Sequence, residues 1–157
     1  SVALGQAALF AIAGSFLLGI PRPPRIDGKE LMLEVEVHVP LARITPRARE
    51  PQQIRMSLYA GREDNSYLNI EPARYREENG KLIVTADGPL NSTAPNRILS
   101  FHIEEHTTFA FDLHGLPASA TAKDLEWSAF APLREAKSVD GKFATTDVLL
   151  RYRVVEF

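Results

Sequence analysis

From Lys29 onward, apolar and polar residues alternate. In ELMLEVEVHVP, Leu31, Leu33, Val35, Val37 and Val39 fall on one side of an extended chain, with Met32, Glu34, Glu36 and His38 on the other. A period of two marks a strand that buries one face and leaves the other to water. The pattern returns in QIRMSLYA (53–60), KLIVTAD (81–87), RILSFHI (97–103), TTFAFDL (107–113), DLEWSAFA (124–131) and DVLLRYRVVEF (147–157). Turn-forming residues punctuate the runs in EENG (77–80), DGP (87–89), HGLP (114–117) and VDGK (139–142). Nothing after residue 29 sustains a helical period, apart from a short turn near EPARYREE (71–78). About seven or eight short strands between turns predict an all-β domain, an antiparallel β-sandwich spanning 29–157.

The predicted core follows from the inward parity. It runs from Leu33, Val35 and Val37 through Ile54, Met56, Leu58, Leu82, Val84, Leu99, Phe101, Ile103, Phe109, Phe111 and Leu113 to Leu125, Trp127, Leu150, Tyr152 and Val154. Glu34 and Glu36 fall on the outer face of the first long strand, Arg151 and Arg153 on that of the last. Opposite charges across a strand pair help modestly, which would make these two strands neighbours. Solvated charges without partners explain them equally well.

Ahead of the domain the pattern is different. SVALGQAALFAIAGSFLLGI carries no charged residue from Ser1 to Ile20, and as a helix it would be roughly 30 Å long, the thickness of a bilayer's hydrocarbon core. A signal peptide would begin with basic residues and end in a small-residue cleavage site, and LLGIPRPPR is a poor one. A soluble helix of this length would show a polar face. The expectation is a single transmembrane helix over 1–20, followed by a Pro-rich spacer over 21–28. Pro21, Pro23 and Pro24 stiffen that spacer, while Arg22 and Arg25 lie near the membrane and within reach of lipid headgroups. Within the span, Ala3, Ala7, Ala11, Ser15 and Gly19 recur every fourth residue. Small residues in that series let two membrane helices approach closely, so they form the expected helix-packing interface. Arg22, Arg25 and Lys29 after the span favour a cytoplasmic domain by the positive-inside rule. Basic residues ahead of Ser1 would reverse that balance, and small β-domains on one N-terminal anchor are usually exported. The expected location is the membrane, with the domain on the non-cytoplasmic, periplasmic side.

Composition removes several function classes. The 157 residues carry 18 Lys and Arg against 20 Asp and Glu, a net charge of −2, which leaves no electrostatic footprint for nucleic acid. There are no cysteines, hence no disulfide, thiolate zinc site or cysteine nucleophile. Neither phosphate-binding glycine motif occurs, nor does a G-x-S-x-G elbow to join Asp112 and His114 in a triad. Glu63 and Asp64 lack the converging carboxylates that calcium requires. Asn91, Ser92 and Thr93 spell a glycosylation acceptor, meaningful only in a eukaryotic secretory setting. Tyr59, Tyr67 and Tyr75 would form an exposed aromatic strip unless they pack on their own domain.

One stretch resembles a catalytic motif. His102, Glu105 and His106 spell H-x-x-E-H, which binds zinc when a helix stacks its two histidines one turn apart. Here the flanking runs alternate as strands, and four residues of strand span about 13 Å, too far for two bonds of about 2.1 Å to one ion. A β-hairpin is therefore expected there, with no metal or cofactor.

These features point to a non-enzymatic, membrane-anchored accessory or assembly subunit of a larger membrane complex. Its partners would be integral membrane subunits, or a second copy, meeting the helix. A membrane-tethered sandwich that binds carbohydrate, peptide or an ion is the alternative, and a zinc hydrolase using the HIEEH segment a remote one.

Overall fold

The alternating runs do form strands. A computed structural model describes residues 24–60, 65–90, 96–104, 107–113, 116–117, 119–132, 135–138 and 147–156. In chain order the strands are β1 (Arg25–Ile26), β2 (Lys29–Pro40), β3 (Ile54–Tyr59), β4 (Asn65–Ile70), β5 (Arg76–Glu78) and β6 (Lys81–Pro89). They continue with β7 (Ile98–Ile103), β8 (Thr107–Asp112), β9 (Ala131–Pro132), β10 (Glu135–Ser138) and β11 (Leu149–Glu156). The expected membrane helix, with Ala3, Ala7, Ala11, Ser15, Gly19 and Arg22, lies outside the described residues. Among the described residues no helix is long and apolar enough to cross a membrane.

Every pairing is antiparallel, and the main path of the sheet runs β10-β8-β7-β3-β4-β6-β2-β11-β9, with β1 beside β2 and β5 beside β6. One strand turns the corner between the two halves. β4 pairs with β3 from Asn65 to Leu68, then with β6 at Asn69 and Ile70. Where it crosses, β6 has a glycine. A Cβ on Gly88 would collide with Leu68 Cδ2, so a bare backbone is what allows the approach. The sheet curls until its inner faces meet in one core. Leu33, Val35 and Val37 of β2 share that core with Phe101 of β7 and Phe109 and Phe111 of β8, all fully buried. Phe101 and Phe109 are cross-strand partners with ring centroids 6.0 Å apart. Each such side chain contributes about 1.5–3 kcal/mol on burial.

Two hairpins turn on paired left-handed residues, Asp27–Gly28 (φ 50° and 76°) and Asn79–Gly80 (φ 53° and 72°). This is the two-residue geometry that matches strand twist. β1 draws part of the expected spacer into the domain: Ile26 is buried in the core, while Arg25 is exposed, 3.7 Å from Glu30.

The sequence expectation differs from the structure in three places. The 124–131 run is no strand. A short 3₁₀ turn, Ala122–Leu125, is closed by a capping box between Thr121 and Asp124, and an extended strap follows it to β9. Trp127, expected inward, lies on the opposite side of the sheet, against two arginines. DGP is no turn either, since β6 runs through it to pair Gly88 with Leu33 and Pro89 with Met32, and the strand ends at that proline. Finally, there are eleven strands among the described residues rather than seven or eight, because β1, β4, β5, β9 and β10 are too short or irregular to alternate visibly.

Candidate functional site

The curled sheet has two outer regions, and they are built differently. Over β11, β2 and β6 the outward rows are Arg151–Glu36–Thr85 and Arg153–Glu34–Asp87. The opposite charges that alternation places on the first and last long strands therefore do face each other in register. Glu34 Oε1 accepts from Arg153 at 3.2 Å and from Arg74 at 3.1 Å. Glu36 accepts from Arg151 at 3.2 Å, and its Oε1 lies 2.7 Å from His38 Nε2.

This face is not solvated as expected. The Glu36 side chain is 3% exposed and that of His38 16%. Trp127 covers both arginines, each guanidinium carbon 4.5 Å from its ring centroid, and Phe130 meets His38 edge-on at 4.8 Å. The strap carrying them is fastened to β11. Ser128 N–H donates to the Tyr152 carbonyl at 2.8 Å, and Tyr152 N–H donates to Ser128 Oγ at 3.0 Å.

Burial pushes the Glu36 carboxyl up, but the bonds from His38 and Arg151 outweigh it and hold it below its ordinary range. Asp87 is displaced the other way, upward, by burial and by the charges of Glu71 and Glu34. On this face Glu34 and Glu36 are paired with arginines beneath Trp127, an arrangement that ties β2 to β11.

Over β3, β4, β7 and β8 the outer face is open. Register stacks its outward residues in three rows: Asn65–Tyr59–Ile98–Asp112, Tyr67–Ser57–Ser100–Ala110, and Arg55–His102–Thr108. The middle row is small once past Tyr67, and larger side chains stand on both sides of it. The result is a trough of about 190 Å³ lined by Arg55, Ser57, Tyr59, Tyr67 and His102. Tyr67 is 79% exposed and Tyr59 41%, two of the three large hydrophobic residues exposed among those described. Tyr75 does not join them; it is tucked against the core, and its hydroxyl donates to the Arg49 carbonyl. Burial, with the nearby Arg55 charge, lowers the affinity of His102 for a proton. Its Nδ1 is 3.0 Å from Thr108 Oγ1.

His102 therefore sits on a strand, with Glu104 at φ 54° opening the turn into β8. The hairpin expected for H-x-x-E-H is present and the helix that zinc ligation needs is not; Glu105 and His106 lie outside the described residues. No group of three potential metal ligands occurs among the described residues. Glu63, Asp64, His114 and the 91–93 acceptor also lie outside them. Alternation in QIRMSLYA already puts Arg55, Ser57 and Tyr59 on one outward side. It could not show that Tyr67 and His102 join them, because that depends on which strands flank β3. No protein-family model matches the chain, and no curated protein or solved structure matches it either.

Proposed function

We propose that this chain is a non-enzymatic binding domain, tethered to a membrane by its N-terminal segment, whose working surface is the open face of β3, β4 and β7. One observation carries the reading: the contrast between the two outer faces. The first is closed by ion pairs and by Trp127, whereas the second leaves Tyr59 and Tyr67 exposed around a trough beside Arg55. Exposed tyrosines and arginines that share a concavity are what recognition surfaces are enriched in.

The test is binding of the full chain to arrays of glycans and peptides, repeated with the Tyr59→Ala/Tyr67→Ala double variant. Specific binding that the double variant loses supports the reading. Identical behaviour of the two proteins overturns it.

An accessory or assembly subunit of a membrane complex is the second reading, and the series Ala3, Ala7, Ala11, Ser15 and Gly19 favours it. It predicts migration inside a large complex on a native gel in mild detergent, lost on Ala11→Leu. Under the first reading that variant leaves binding at the trough unchanged.

A further inference from the structure

We infer that the trough takes an acidic sugar ring, a pyranose carrying a carboxylate. The inference rests on the binding-domain reading and adds the class of ligand. Size comes first. A volume of about 190 Å³ is below the roughly 300–1,000 Å³ of sites for drug-sized molecules, a scale that suits a single ring seated in the trough. An extended peptide needs a long groove or a sheet edge, and this trough is a short depression whose lining is confined to β3, β4 and β7.

The lining then sets the chemistry. Tyr59 and Tyr67 offer apolar ring surface with a polar tip, suited to the mixed faces of a sugar. Ser57, at the floor, can both donate and accept, as hydroxyl-rich ligands require. The neutral imidazole of His102 brings a ring nitrogen without a competing positive charge.

Charge completes the assignment. Arg55 is exposed and has no carboxylate partner among the described residues. Among the described residues, no acidic side chain lines the trough. Glu104, at the hairpin turn, accepts instead from the Thr45 hydroxyl at 3.4 Å, and Asp112 stands two rows and two strands away from Arg55. An unpaired guanidinium presents a planar fork that matches a carboxylate. Beside two tyrosines and a serine, it calls for a ligand that joins a ring to an anion.

The experiment uses the full chain with oligomers of galacturonate, mannuronate and glucuronate, each as free acid and as methyl ester, followed by titration calorimetry. At least one acid form should bind, and esterification should weaken it by about tenfold or more, as expected for loss of a charge-assisted bond. Arg55→Gln should cost a similar factor, and Arg55→Lys less. Tyr67→Ala should weaken acid and ester alike. Both positions are exposed, so circular dichroism should show an unchanged fold. Equal binding of acid and ester overturns the assignment of the charge. Absence of binding by every acid oligomer up to about 10 mM, a ΔG of less than about 3 kcal/mol, overturns the ligand class. The binding-domain reading survives that result if the arrays return a neutral glycan or a peptide that Tyr59→Ala/Tyr67→Ala loses.

Discussion

Replacing Glu36 by glutamine should destabilise the domain more than any other change to one polar atom. The Glu36 side chain is 3% exposed, and it holds Arg151 at 3.1–3.2 Å and His38 at 2.7 Å. Removing one partner of a buried ion pair usually costs about 3–5 kcal/mol, because the other charge is left uncompensated. Arg151 is 30% exposed and keeps the Trp127 ring beneath it, so water and the ring recover part of that, leaving about 2–3 kcal/mol. For a domain of this size the loss lowers Tm by roughly 5–12 °C. Urea denaturation followed by circular dichroism at pH 7 would measure it. The carboxyl is held below its ordinary value of 4.5 in the folded state. Its contribution is therefore complete above the unfolded value and lost as pH falls through the folded one. The gap between wild type and Glu36→Gln should close as pH falls below 4.5 and through the lowered folded value. Adding Arg151→Met to Glu36→Leu should recover stability, since two apolar groups of similar volume leave no charge stranded. A Glu36→Gln protein within about 0.5 kcal/mol of wild type at pH 7, the range of an ordinary surface change, would refute the reasoning.

Other perturbations test other parts of the structure. Gly88→Ala should cost about 1–3 kcal/mol through its collision with Leu68, and Leu68→Ala in the same chain should relieve it, as a double-mutant cycle in urea would show. Gly80→Ala meets nothing within 4 Å, so only its φ of 72° is strained; thermal melting should give about 1–2 kcal/mol. Trp127 is the sole tryptophan, and Trp127→Phe should cost about 0.5–2 kcal/mol of cation–π stabilisation, read as a shifted urea midpoint by circular dichroism. His102 should titrate below 6.5 in an NMR series. Its depressed affinity means stability falls as pH drops below the unfolded value, until the folded group also protonates. Arg55→Gln should move that midpoint back up.

Much of the fold was legible because its strands bury one side. β2, β3, β6, β7, β8 and β11 lie where period-two alternation puts them, and nearly all of the predicted inward residues are buried. The exceptions share a cause. Leu125 and Trp127 alternate like a strand, but the capping box at Thr121 and Asp124 turns the chain, and Trp127 satisfies two guanidinium groups instead of the core. Alternation reports which residues avoid water, not which surface shelters them. For the same reason Glu36 and His38 read as solvated: polar parity is identical whether water or a strap lies above it. The facing of Glu34 and Glu36 with Arg153 and Arg151 was suggested by opposite signs at matching parities, but solvated charges would read the same way, and only the register decides it. The trough was not, since Tyr67, Ser57 and Ser100 are brought into one row by pairings that alternation does not encode.

The ladder between β2 and β11 also bears on synthesis. Glu36 and Arg151 are 115 residues apart. At about 5–20 residues per second, roughly 6–23 seconds pass between their additions to a growing chain. During that interval β2 has its apolar side ready to pack, but Glu34 and Glu36 have no guanidinium from β11. Arg74 is already there for Glu34, but burying Glu36 early would leave its carboxylate without Arg151. The nascent domain is thereby discouraged from sealing this face around the wrong strand, and the last step of assembly is the one that neutralises it.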